Sequence, residues 1–190
     1  MSQAKPLAST AYASRFFTYT HYVMESKPQK NEQMSKVRDM VEEIRIAMMT
    51  TVDDQGNLVS RPMAALQFDE EGNVWFFTQR TSPKVDQIEQ NERRVNVAFA
   101  SASDADYVSI SGVANEVDDR AKIDELWNPQ AKAWFPKGKD DPELTLLKVH
   151  TQMAEYWDSN DSTMVRLFQQ AAAVVTGNPP KMGENEKVYN

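Results

Sequence analysis

The sequence predicts a mainly β (α+β) fold in which about six antiparallel strands close into a barrel with short peripheral helices. Short turn sequences join most of the β-rich stretches, which is typical of antiparallel hairpins. The chain has no regular strand–helix alternation, no Gly-x-Gly-x-x-Gly motif and no P-loop, so a doubly wound nucleotide-binding fold is not predicted. Closure into a barrel is expected because it removes the exposed edges of an open sheet.

Length and composition indicate one globular domain, since 41% of the 190 residues are hydrophobic and 26% are charged. The net charge of −7 argues against nucleic-acid binding and against an anionic membrane surface as partner. The chain has no cysteine and only two histidines, which excludes disulfides and thiolate metal sites and argues against a multi-histidine metal site. We find no membrane-spanning apolar run and no secretory signal, so a cytoplasmic location is predicted.

The predicted domain covers residues 33–176, with an N-terminal extension at 1–32 and a polar tail at 177–190. Aromatic residues in the extension precede a polar stretch, so the extension either packs on the body or on a partner, or it is a loosely ordered tail. The aromatic residues are Tyr12, Phe16, Phe17, Tyr19 and Tyr22.

The first helix and the first hairpin follow from periodicity and turn chemistry. Apolar residues recur at helical spacing over 34–44, and a β-rich stretch follows at 46–52. The run 53–57, Asp-Asp-Gln-Gly-Asn, is a hairpin turn that leads into a strand at 58–68. Within that strand Pro62 cannot donate a ladder hydrogen bond, which predicts an edge position or a bulge.

A second turn at 69–73 leads into a strand at 74–78, and a short helix follows. Ser82 is placed as the N-cap of that helix and Pro83 as its first residue, an arrangement that helix starts prefer.

The second half of the chain continues with strands at 95–101 and 107–117, where Gly112 indicates a bulge or a close backbone approach. The remaining predicted elements are helices at 118–127, 130–135 and 162–175 and a strand at 144–157.

Two cations stand out as candidate ligands for an anion. Arg61 lies in the middle of a strand, where it either clamps a phosphate or points outward and pairs with a carboxylate. Lys84 lies in the first turn of the helix that Ser82 opens, where free amides favour an anion. A lysine is mildly unfavourable at that helix position, which favours a non-local reason for it over a solvated side chain.

Aromatic residues offer a surface for a flat cofactor. Alternation in the strand at 74–78 puts Trp75 and Phe77 on one face and Phe76 and Thr78 on the other. A cofactor ring could stack on one of the four tryptophans, although core packing is the usual role of each. Those tryptophans are Trp75, Trp127, Trp134 and Trp157.

Acid–base catalysis by side chains is weakly supported. Neither His21 nor His150 has a serine or aspartate partner in a recognisable nucleophile pattern. If the protein catalyses a reaction, a cofactor is expected to carry the difficult step.

The order of several motifs resembles the pyridoxamine 5′-phosphate oxidase-like superfamily of FMN-binding split barrels, in particular its bacterial general stress protein 26-like branch. The resemblance covers about residues 34–158. It is carried by Arg61-Pro62-Met63, the run from Gly72 to Thr78, Ser82-Pro83-Lys84, the run from Tyr107 to Gly112, Leu126-Trp127-Asn128-Pro129, Ala133-Trp134-Phe135-Pro136 and Glu155-Tyr156-Trp157.

This resemblance implies an FMN-binding split β-barrel and a homodimer with two flavins at the subunit interface. It implies that Arg61 and Lys84 bind the flavin phosphate and that Ser82 and Thr78 support them. The remaining residues that it assigns to the flavin are Pro62, Met63, Phe76, Phe77 and Trp157, with Arg166 as a further match across a gap.

Two departures from the family pattern bear on substrate. Where the true oxidases have an Arg-Leu-His motif, residues 158–163 contain no histidine, and Gln67 replaces a phosphate-binding lysine. Oxidation of pyridoxamine phosphate is therefore not expected.

The predicted function is an FMN-dependent oxidoreductase of unknown substrate, linked to stress response. Three alternatives stay open. The protein could be a non-catalytic flavin-binding or storage module, a deazaflavin- or haem-binding split barrel, or a barrel without cofactor whose residues 1–32 contact a partner.

Overall fold

The computed structural model describes residues 27–158 and 184–189. The extension up to residue 26 and the predicted helix at 162–175 lie outside the described residues. In chain order the elements are α1 (Lys27–Ile44), β1 (Ile46–Val52), β2 (Leu58–Phe68), β3 (Asn73–Gln79), α2 (Pro83–Gln90), β4 (Arg94–Ser101), β5 (Asp106–Val117), α3 (Arg120–Leu126), two 3₁₀ turns (Pro129–Ala133 and Gly138–Asp140), β6 (Leu144–Asp158) and β7 (Glu184–Tyr189).

Six strands form an antiparallel barrel in the order β3-β2-β1-β4-β5-β6, closed by pairing between β3 and β6. This confirms the predicted fold class. In the turn between β1 and β2, Asp53 Oδ1 accepts hydrogen bonds from the backbone N–H groups of Gln55 and Asn57, and Gly56 has a φ of 83°. The turn at Asp69 is built in the same way. Local turn chemistry therefore sets these two hairpins.

The barrel is incomplete along one edge of β2. Pairing between β2 and β3 is confined to Ala65–Phe68 and Val74–Phe76, with a register shift between Ala65 and Gln67. Residues 58–64 of β2 pair only with β1 within the described part of the chain. Pro62 lies on this edge, as predicted, where its missing N–H breaks no strand ladder.

A seventh strand, which the sequence reasoning did not predict, adds to β6. One edge of β6 pairs with β3 up to His150 and then with β7 from Met153 to Asp158. The strand β7 lies within residues 177–190, for which the sequence predicts a polar tail. Pairing with β6 provides backbone hydrogen bonds along one edge of β7, and Val188 is buried in the barrel core.

The helix α1 covers one side of the barrel and contributes Val37, Met40 and Val41 to the main core. It begins at Lys27, so its first turns belong to the predicted N-terminal extension. Lys36 of α1 forms an ion pair with the buried carboxylate of Asp158 at the end of β6. Across the described residues, no helix combines the length and apolarity that a membrane crossing requires.

A second core lies on the outer face of β3, under α3 and the segment that follows it. The Phe77 ring is 5.7 Å from the Trp127 ring and 6.2 Å from the Phe135 ring, between centroids. Trp75 belongs to this outer cluster, whereas Phe76 is fully buried in the barrel core. The predicted alternation along β3 is thereby confirmed.

Gly112 lies at a β-bulge between β5 and β6, as predicted. A Cβ atom at this position would overlap the carbonyl oxygen of His150, so the two backbones approach closely. Only glycine allows that approach.

Candidate functional site

Arg61 lies on the half-buried face of β2, directly opposite Met49 of β1. Its Nη1 donates to Thr51 Oγ1 at 2.6 Å, and its Nη2 donates to Gln87 Oε1 of α2 at 2.9 Å. Thr51 Oγ1 donates in turn to Gln87 Oε1 at 2.7 Å. The three side chains form a closed triangle that ties α2 to the first hairpin.

Lys84 lies in the first turn of α2, where its Nζ donates to Ser82 Oγ at 2.6 Å. Ser82 occupies the N-cap position and Pro83 follows it, as predicted, but the Ser82 hydroxyl does not cap a backbone N–H. The hydroxyl instead holds the lysine ammonium, which is half-buried like Arg61. Ser82 and Lys84, two predicted site residues, are thus in contact, and the charge of Arg61, a third, acts on Lys84.

The charges of Arg61 and Lys84 act on each other. Burial lowers the pKa of the Lys84 ammonium, and the positive charge of Arg61 lowers it further. Burial also lowers the pKa of the Arg61 guanidinium. Of the ion pairs found between described residues, none involves either cation. The carboxylate-paired alternative for Arg61 therefore does not hold within that part of the chain.

Two partly desolvated positive charges that repel each other cost free energy unless an anion compensates them. The partial positive charge at the start of α2 adds to the same field. The arrangement can therefore bind an anionic group such as a phosphate, with the Ser82 hydroxyl as a further polar contact.

Other predicted site residues on β2 and β3 have mixed positions. Pro62 is exposed on the outer face and Met63 is packed against the barrel core. Thr78 is buried opposite Thr145, and its hydroxyl donates to the carbonyl oxygen of Gln79 at 3.4 Å.

The two phenylalanines of β3 are already packed on opposite faces of the strand. Phe76 has no exposed surface, and Phe77 contacts the aromatic rings of the outer cluster. Within one chain they offer little side-chain surface to a ligand.

Trp157 does not join the cations within one chain. It lies near the end of β6, opposite Tyr107 of β5 and Asn185 of β7. Along the sheet, β1, β4 and β5 lie between β6 and β2 in one direction and β3 lies between them in the other. No hydrogen bond or ring contact joins Trp157 to Arg61 or Lys84 among the described residues.

Gln67 lies beyond the register shift of β2, on the side of the outer cluster. Its Oε1 accepts a hydrogen bond of 2.7 Å from Lys122 Nζ, and that ammonium lies 5.3 Å from the centroid of the Trp75 ring. The position that departs from the family pattern thus has a neighbouring lysine, on a different face of the sheet from Arg61.

Sequence reasoning missed Thr51 and Gln87. The sequence held a positional signal for each residue. Gln87 lies three residues after Lys84, on the same face of the helix, and Thr51 lies two residues after the buried Met49, on the same face of the strand. Neither residue belongs to one of the motifs that carry the family resemblance, and neither bears a charge. Groups of acidic residues, histidine or cysteine suited to a metal ion are absent from the described residues.

The family of the protein follows from its sequence. Residues 32–181 match the family model described as pyridoxamine 5′-phosphate oxidase like. The chain belongs to this family. The resemblance drawn from the motifs is confirmed.

Individual relatives agree with this family. The chain is 30% identical to Protein bli-3 of Neurospora crassa over 154 residues, covering 76% of this chain and 73% of that protein. It is 27% identical to General stress protein 26 of Bacillus subtilis over 138 residues, covering 70% of this chain and 93% of that protein. The crystal structure of the general stress FMN/FAD binding protein from Xanthomonas citri superposes with a TM-score of 0.58 at 35% identity, covering 69% of this chain and 92% of that one.

Proposed function

We propose that this protein binds FMN, with the flavin phosphate held by Arg61 and Lys84 beside the Ser82 hydroxyl. The observation that carries the proposal is a pair of half-buried cations that interact with each other and have no carboxylate partner among the described residues. A phosphate monoester carries about two negative charges at neutral pH, which matches the pair. The description of the Xanthomonas citri protein as FMN/FAD binding supports a flavin as the group that carries the phosphate.

We further propose a flavin-dependent oxidoreductase of unknown substrate. When bound, the flavin would supply the hydride and electron chemistry. The residues of this chain would bind the phosphate and shape the space for the ring. Relatives described as general stress proteins support a role in stress response. The lack of cysteine suits a reducing compartment, and we propose a cytoplasmic location.

We propose that the protein is a homodimer with the flavins at its interface. The outward face of β1 exposes Ile46 by 57% and Met48 by 44%. Their cross-strand neighbours Ala64, Pro62 and Ala98 are apolar and uncharged. An uncharged sheet face with large exposed side chains favours burial against a second copy. In such a dimer, Trp157 of one subunit would contact the flavin whose phosphate is held by Arg61 and Lys84 of the other subunit.

The direct test is titration of the purified protein with FMN, followed by flavin fluorescence, together with a visible spectrum of the protein as purified. Saturable binding at micromolar FMN is the expected result. Absence of binding at that concentration would remove both the flavin and the oxidoreductase proposals.

A non-catalytic flavin-binding module is the second candidate, and one observation favours it. The histidine of the described residues, His150, is engaged with Asn73 Oδ1 at 3.0 Å on the strand pair β3–β6, and it does not join Arg61 and Lys84. Oxidation of reduced nicotinamide cofactors by the FMN-loaded protein, measured with a panel of electron acceptors, would separate the two candidates.

A further inference from the structure

We infer that Gln87 and Thr51 are positioning residues that hold Arg61 in a phosphate-binding pose while leaving its positive charge uncompensated. The inference rests on the proposed phosphate site and adds two residues to it. Thr51 is 1% exposed, and its hydroxyl contacts both Arg61 and Gln87. A buried hydroxyl that both accepts and donates within one triangle has little freedom to move.

The neutrality of both acceptors is the central point. A half-buried arginine is ordinarily paired with a carboxylate, which cancels its charge. Here the acceptors are a hydroxyl and a side-chain amide, with the backbone carbonyl of Met49 at 3.5 Å. The geometry of the guanidinium is therefore set by groups that leave its full charge available to an anion.

The hydrogen bonds to Thr51 and Gln87 leave the Nε side of the Arg61 guanidinium free to bind an anion. Thr51 and Gln87 occupy Nη1 and Nη2, the two ends of the group. No hydrogen bond involving the Arg61 Nε–H is found between described residues, and Nη2 has a second hydrogen. These two donors lie on one side of the planar group, the side that binds two oxygens of a phosphate at once.

Gln87 also couples the two cations. It follows Lys84 by three residues, so both side chains lie on neighbouring positions of one face of α2. The buried side chains of Val85 and Ile88 anchor the helix in the core, and Asn91 Nδ2 donates to the carbonyl oxygen of Val52 at 2.9 Å. Fixing Arg61 to Gln87 therefore sets its position relative to Lys84.

The test compares Gln87→Glu and Gln87→Ala with the unchanged protein in FMN and riboflavin titrations. Gln87→Glu keeps an acceptor for Arg61 but places a negative charge against it, so FMN is expected to bind on the order of a hundredfold more weakly. Gln87→Ala loses one charge-assisted hydrogen bond and should weaken FMN about tenfold. Riboflavin, which has no phosphate, should change by less than about twofold in either variant. Gln90→Glu makes the same charge change at an exposed position on α2 and should alter neither ligand.

Melting temperatures of the ligand-free variants check that each is folded, and stabilisation by inorganic phosphate provides a readout without flavin. If the unchanged protein binds FMN and Gln87→Glu binds it equally well, the positioning role is wrong while the proposed function stands. If the unchanged protein binds no FMN but is stabilised by phosphate, and Gln87→Glu is not, the flavin proposal fails and the positioning role stands. The inference would also be overturned if neither protein binds FMN and phosphate stabilises the unchanged protein and Gln87→Glu equally. The same holds if neither protein binds FMN and phosphate stabilises neither of them.

Discussion

Removing either cation should weaken FMN binding with little effect on the ligand-free fold. In Arg61→Ala the hydrogen bond between Thr51 and Gln87 remains, because their oxygens already lie 2.7 Å apart. The substitution also removes the repulsion that lowers the pKa of Lys84. Losing the Arg61 hydrogen bonds to Thr51 and Gln87 lowers stability, whereas removing the repulsion between Arg61 and Lys84 raises it. The two effects oppose each other, so the melting temperature of the ligand-free protein should change little. Arg61→Ala should therefore weaken FMN binding without a matching loss of stability.

The expected magnitude follows from the type of contact. A hydrogen bond to a charged group contributes about 1.5–3 kcal/mol, so Arg61→Ala and Lys84→Ala should each weaken FMN by that amount. This corresponds to an increase of about 10- to 150-fold in Kd. Lys132→Ala removes a positive charge from an exposed position in the 3₁₀ turn at Pro129–Ala133 and is the matched control, with no expected change.

Flavin fluorescence titrations of the three variants with FMN, and with riboflavin as the ligand lacking a phosphate, measure the effect. The phosphate contribution is the ratio of the two affinities, and only Arg61→Ala and Lys84→Ala should reduce it. Unchanged FMN affinity in both variants would show that the phosphate binds elsewhere, and the account of the site would be wrong.

Three further predictions concern protonation, oligomeric state and packing. Because folding lowers the pKa of Lys84, the free energy of unfolding of the ligand-free protein should rise with pH between the folded pKa and the ordinary value of 10.5. FMN affinity should fall over the same pH range, because the lysine loses its charge. If the free energy of unfolding and the FMN affinity changed in the same direction with pH, this prediction would be wrong. Met48→Asp places a charge in the uncharged outward face of β1 and should convert the proposed dimer to a monomer in light scattering. Trp134→Asp, at an exposed position on another surface, should leave the dimer intact, and a dimer that survives Met48→Asp would exclude the β1 face as the interface. Gly112→Ala should cost more than about 2 kcal/mol in urea denaturation, because its Cβ would overlap the carbonyl oxygen of His150; a variant as stable as the parent would mean that the bulge relaxes freely.

Elements governed by local chemistry could be predicted from the sequence. The turns at Asp53 and Asp69 depend on a side chain that accepts hydrogen bonds from amides a few residues away, and both were predicted. The start of α2 followed from Ser82 and Pro83. The alternation of Phe76 and Phe77 followed from the two-residue period of a strand.

Elements governed by distant contacts could not be predicted. The strand β7 has a charged sequence and forms because β6 offers it an open edge, which is a property of another part of the chain. Pro62 predicted an edge or a bulge in β2, but the place where β2 leaves β3, at the register shift between Ala65 and Gln67, depends on the pairing with β3. Thr51 and Gln87 lack charge and motif, and only folding places them against Arg61.

Composition and local patterning predicted a mainly β barrel and singled out two cations as candidates for an anion site, while the order of the motifs carried the resemblance to the pyridoxamine 5′-phosphate oxidase-like family. Tertiary structure decided that those cations share one neighbourhood and that neutral acceptors hold one of them. The physical reason is that hydrogen-bonded turns and strand periods act over a few residues. The net charge around a side chain depends instead on every group that folding brings within a few ångströms of it.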